Sequence, residues 1–125
     1  MEFDLTGEEA RLLLETALMA TGQNHFRSAA TILQALDVFR PGEESLDVAK
    51  AVLCISQLQF RECVEFIDGV ALPRHPDSGM LRAFRGMALL RLNRVAEAIP
   101  SLHEAAASPD GAAARLAADM LADVR

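Results

Sequence analysis

The chain has 125 residues, 51% of them hydrophobic and only 5% aromatic, and carries a formal net charge of −6. That length supports one domain with a real core, and an Ala-, Leu- and Arg-rich composition suits packed helices better than a sheet. The acidic balance argues against nucleic acid as the main partner, since phosphate binding needs a basic field, and no apolar run approaches the ~18 residues of a membrane span.

The opening Met1-Glu2-Phe3-Asp4 is acidic, unlike the basic start of a signal peptide. Thr6 and Glu9 have the spacing of a capping box, with Leu5 placed as half of a hydrophobic staple, so a first helix opens here and runs to the turn at Gly22 and Asn24. A second helix is expected from about His25 to Phe39, ended by Pro41-Gly42. A third should run from about Glu43 to Leu58 and a fourth from about Phe60 to Gly69. Pro73 and Pro76 are expected to bracket a loop. A fifth helix then covers about Asp77 to Leu92, with Asn93 as a turn residue. A sixth spans about Arg94 to Ala107, with Pro100 inside it expected to bend or shorten its first turns. A last helix covers Ala112 to about Val124. No strand-like alternation occurs, so the fold class is all-α.

One phrase recurs: Phe26-Arg27-Ser28-Ala29, Phe60-Arg61-Glu62-Cys63 and Val95-Ala96-Glu97-Ala98, at a period of 34 to 35 residues. Such a period points to stacked helix pairs. The register resembles the tetratricopeptide repeat. The small first-helix residue is Ala17, Ala51 and Gly86. The second-helix pair is Ala29 with Leu33, Cys63 with Ile67, and Ala98 with Leu102. Close helix approach at a small side chain is the physical reason for such a pattern. The large aromatics of the pattern are missing. The resemblance implies a single domain over 1–125, with three degenerate repeats at about 10–43, 44–78 and 79–112 and a capping helix at 112–124.

In such a stack the first helices line the concave face. Transferring the register makes Leu14, Leu18, Val48, Val52, Ile55, Met87 and Leu90 the concave side chains, all apolar. Either the array fills its own groove, for instance with the last helix, or the groove receives an apolar peptide or amphipathic helix.

Cys54 and Cys63 have neither a disulfide-framework spacing nor a metal-ligand spacing and read as small buried residues in a reducing cytosol. His25, His75 and His103 lie on separate segments, so no metal site is expected. No phosphate loop, serine elbow or Cys-His nucleophile signal occurs. No cofactor is implied, and the chain reads as a binding protein and not an enzyme. Arg74, Arg82, Arg85, Arg91 and Arg94 are clustered. They form either a solvated helix face or a set in which Arg91, at the groove mouth, and Arg85 pair with an acidic end of a bound peptide.

Ala17-Leu18-x-x-Thr21-Gly22, followed by Ala29, Ile32 and Leu36, resembles the first helix pair of the small tetratricopeptide-like chaperones of the bacterial type III secretion apparatus, in the branch that holds the needle subunit. His25 matches the histidine of that branch's turn. A sister branch, which holds a small early export substrate, is similar in Leu5-Thr6 ahead of Leu12-Leu13-Leu14 and in Ile32-Leu33-x-Ala35-Leu36 ahead of Pro41. The resemblance implies a cytoplasmic, ATP-independent chaperone whose groove, with Arg91 at its mouth, shields a small self-associating secretion substrate through its amphipathic helix. It leaves open a second small chaperone in the complex and a homodimer of the free protein. The alternative is a general tetratricopeptide-like interaction scaffold.

Overall fold

A computed structural model describes residues 5–124. The acidic opening Met1–Asp4 and the terminal Arg125 lie outside the described residues. The structure is all-helical, with seven helical rods covering 80% of it and no strand among the described residues. Its contacts divide the chain at Gln57/Leu58 into two compact units.

The first unit holds α1 (Gly7–Gly22), α2 (Phe26–Phe39) and α3 (Glu44–Ser56). The capping box forms as its spacing requires. The Glu9 amide donates to Thr6 Oγ1 at 3.1 Å, and the Thr6 amide donates to Glu9 Oε1 at 3.0 Å. Hydrogen bonds to the Glu9 carboxylate, first from the Thr6 backbone amide and then from the Thr6 side chain, hold that carboxyl below its ordinary value. Ala10 and Ala17 of α1, Ala29, Leu33 and Leu36 of α2, and Leu46, Ala49 and Leu53 of α3 make the core, with Leu5 packed against it. In each helix these residues recur at spacings of three, four or seven, which places them on one face. Buried Thr21 satisfies its hydroxyl by donating to the Ala17 carbonyl at 2.8 Å. Gly42, at φ 75°, makes the α2–α3 turn in the left-handed region that glycine enters at no steric cost.

The second unit opens with α4 (Phe60–Phe66), which continues through a π-helical turn (Ile67–Ala71) into α5 (Leu72–Arg74) as one rod. The loop expected to start at Pro73 is therefore shorter, and the helix expected to stop near Gly69 reaches Arg74. The π turn explains how. A proline inside an α-helix loses one backbone bond and crowds the carbonyl four residues back. Here the Leu72 amide donates to Ile67 O, five residues back, and this wider turn precedes the ring. The third helix also stops at Ser56, short of Leu58.

After the loop come α6 (Gly79–Arg91), α7 (Val95–Ala106) and α8 (Gly111–Asp123). Ser78 caps α6 at Leu81, and Asp110 caps α8 at Ala112 and Ala113. The core joins Ala83 of α6, Leu102 and Ala105 of α7, and Ala117 of α8. A Cβ built on Gly86 would lie 2.5 Å from Leu102 Cδ2, so α6 and α7 approach where α6 has no side chain. Pro100 does not shorten α7, which runs unbroken past it; the carbonyl it leaves without an amide belongs to exposed Ala96. Ser101 donates to the Arg82 carbonyl at 2.8 Å and ties α7 to α6.

Three turns share one backbone form. Asn24, Leu58 and Asn93, spaced 34 and 35 residues apart, all have φ between 61° and 64°. Two of them close with the same bond, His25 N–H to Ala20 O and Arg94 N–H to Leu89 O, both at 2.8 Å. Ala17, Ala51 and Gly86 are all buried, as are Ala29, Cys63 and Ala98.

Candidate functional site

The apolar residues expected on a concave face fall in both units. In the first unit, Val48, Val52 and Ile55 of α3 are all half-buried. Their spacing of four and three puts them on one face of that helix, distinct from the Leu46–Ala49–Leu53 face turned to the core. Leu14 instead packs against the core of this unit. It also lines a cavity of about 330 Å³, with Ala10, Leu36 and Leu46 as apolar walls and Arg11 and Arg40 among its polar residues. Arg40 is held there: its Nε donates to Glu43 Oε1 at 2.6 Å and its Nη1 to the Leu5 carbonyl at 3.0 Å. Leu18 is 39% exposed. Four of the five expected residues of this unit thus remain partly accessible away from the core, and Leu14 is divided between core and cavity.

In the second unit Met87 is half-buried and Arg91 exposed, whereas Leu90 packs against the α6–α7–α8 core. Met80, Phe84, Met87 and Arg91 follow one another at spacings of four, three and four, which is one helix face, and its three apolar members are half-buried. The face turned to α7 and α8 is the other one, carrying Gly79, Ala83 and Gly86. Sequence reasoning assigned Met87 and Arg91 to this face but missed Met80 and Phe84, although their spacing was available.

The arginine cluster resolves into separate roles. Arg82 Nε donates to Glu104 Oε2 at 2.8 Å, and Arg85 Nε to Asp68 Oδ1 at 2.6 Å, with Nη2 to Oδ2 at 3.4 Å. Arg94 pairs with Glu97. Arg85 is therefore engaged with Asp68 within the fold. Arg91 behaves differently: its guanidinium carbon lies 4.9 Å from the centroid of the Phe60 ring. In the sequence Phe60 marks a helix start and a repeated phrase; its meeting with Arg91 is a tertiary fact.

Cys63 is fully buried, as expected, but Cys54 is half-buried. Among the described residues no group of three or more His, Cys, Asp and Glu side chains converges on a metal-sized space, and no helix is long and apolar enough to cross a membrane. Comparison of the chain with family models, curated proteins and solved structures found no match.

Proposed function

We propose that this chain is a binding protein, not an enzyme, and that it holds an amphipathic helix of a partner protein against apolar helix faces. The observation that carries this reading is the half-buried stripe Val48, Val52 and Ile55 on α3, on a helix that already commits another face to the core. The Met80–Phe84–Met87 stripe on α6 is of the same kind. Apolar rows at helical spacing suit a helix that presents its own row at i, i+3, i+4 and i+7. Burial contributes about 1.5–3 kcal/mol per well-covered side chain, against several kcal/mol of lost rigid-body freedom. Tight holding without an energy source is consistent with those terms.

The repeated turns at Asn24, Leu58 and Asn93 support a tetratricopeptide-like pairing of helices. With the resemblance of the first forty residues, they favour a cytoplasmic chaperone of type III secretion that shields a small self-associating substrate of the needle-subunit kind. A second small chaperone in the complex, or a homodimer before the substrate arrives, fits the same reading.

Co-purification with small secretion subunits encoded beside this gene tests it. Leu18→Asp, at a partly exposed position, and Val52→Asp should each abolish capture while helical circular dichroism is kept. Raising salt to several tenths molar should weaken binding by less than about tenfold, because apolar contacts dominate. Capture that survives in both folded variants refutes the reading.

A general scaffold is favoured by a different observation. Leu12 and Met19, on the face of α1 away from the core, are 53% and 65% exposed. If Leu12→Gln with Met19→Gln ends capture and Val52→Asp does not, the outer face is the binding surface.

A further inference from the structure

Within the Arg74–Arg94 cluster, Arg82, Arg85 and Arg94 each meet a carboxylate of this chain, and Arg74 is also engaged. Among the described residues Arg91 meets none; it lies over the Phe60 ring instead. A guanidinium held over a ring keeps its N–H donors at the edge of its plane, available to an acceptor. The ring contact also limits how far the side chain wanders, so less rotamer freedom is lost when the fork is filled. Phe60 is half-buried and opens α4, whereas Arg91 closes α6 and is exposed. The fork therefore stands at the end of the Met80–Phe84–Met87 stripe, one helical turn beyond Met87.

We propose that Phe60 and Arg91 form a recognition point for a carboxylate on a peptide partner, with Met87 receiving the apolar residue beside it. This deepens, and rests on, the binding-protein reading above. The charge argument selects the ligand. A chain of net charge −6 offers no basic field for a polyanion, so a single acid met by a short-range planar fork is the complementary partner. An aspartate or glutamate side chain and a C-terminal carboxylate present the same two oxygens.

The test uses the full chain and short helix-forming peptides of leucine and glutamine, labelled for anisotropy. One version ends in a free carboxylate, one carries an internal glutamate and an amidated end, and one is amidated with no acid. At least one acidic version should bind about tenfold or more tightly than the neutral one, and which version does so identifies the source of the carboxylate. Arg91→Gln should bring the acidic peptides down to the neutral level and leave the neutral affinity and the thermal unfolding unchanged. Arg91→Lys should lose most of the preference, because it keeps the charge and not the fork. Phe60→Leu should reduce the preference severalfold and shift the Arg91 Nε–Hε resonance as the ring current disappears.

Equal affinity for all three peptides overturns this proposal and leaves the binding reading standing. No binding by any of them overturns both. A loss in Arg91→Gln that is the same for neutral and acidic peptides makes the residue structural. Competition by a single-stranded oligonucleotide at comparable concentration reassigns the fork to phosphate and overturns the carboxylate proposal.

Discussion

Gly86 is where the packing of the second unit can be tested most sharply. A Cβ there would stand 2.5 Å from Leu102 Cδ2, 2.6 Å from Leu102 Cγ and 3.5 Å from the Ala98 carbonyl oxygen. Leu102 is fully buried, so its side chain has no outward space to yield into. Two effects oppose each other in Gly86→Ala. The alanine gains about 1 kcal/mol of helix propensity, and overpacking costs about 1–3 kcal/mol. Gly69 is the control, because a Cβ on it meets nothing within 4 Å and only the favourable term remains. Gly69→Ala should therefore stabilise by about 0.5–1 kcal/mol, while Gly86→Ala is neutral to destabilising by up to about 2 kcal/mol. Urea unfolding followed by helical ellipticity measures both. Leu102→Ala alone should cost about 2–5 kcal/mol. Combined with Gly86→Ala it should cost at least about 1 kcal/mol less than the sum, since the new methyl then enters the vacated space. A Gly86→Ala variant as stabilised as Gly69→Ala, or strict additivity with Leu102→Ala, would refute the close α6–α7 approach.

Leu58 holds φ 61° and is 68% exposed. Leu58→Gly should therefore raise stability by about 0.5–1 kcal/mol in a denaturant melt by removing left-handed strain. Asn24→Gly should change it by only a few tenths, because asparagine tolerates that region; equal effects would argue against strain at Leu58. Glu9, with its folded pKa lowered, contributes stability that is present above its unfolded value and is lost as pH falls through the folded one. The Thr6 amide resonance should accordingly titrate below the ordinary glutamate range in the wild type and stay flat there in Glu9→Gln. A midpoint at or above the ordinary value would show that the capping box does not act on the carboxyl.

The helices were legible because their ends carry local chemistry. Thr6 with Glu9, Gly22 with Asn24, Pro41-Gly42 and Asn93 each act through backbone rules that need no tertiary context. The close-packed positions Gly86 and Ala17 were legible from the period of the chain. Leu58 in a left-handed turn was not, because leucine carries no turn preference and only the spacing from Asn24 to Asn93 marks it. Pro73 misled for the opposite reason: its local rule says stop, and a wider turn that no residue type announces lets the helix pass. The site was half legible. Val48, Val52 and Met87 lie on accessible stripes as their spacing implies. Leu14 and Leu90 turn to cores, because in a helix apolar all round the sequence does not say which face meets which neighbour. The arginines were least legible, since Asp68, Glu104 and Phe60 reach them only through folding.

The wider turn at Ile67–Ala71 also sets how this rod responds to a change of length. Residues four apart in an α-helix drift by about 40° around the axis, so Cys63, Ile67 and Ala71 would spread over about 80° in an unbroken one. A turn closed by bonds five residues back takes in more chain and reverses that drift, in keeping with the full burial of all three. The rod thus carries one residue more than an α-helix needs, and the wider turn absorbs it while keeping one face inward. Deleting Gly69 would restore the α count and leave everything from Leu72 onward facing as before, but it would remove the wide turn and bring the Pro73 ring against a carbonyl. An added residue in the exposed Pro76-Asp77 loop, by contrast, would be taken up without turning any buried face.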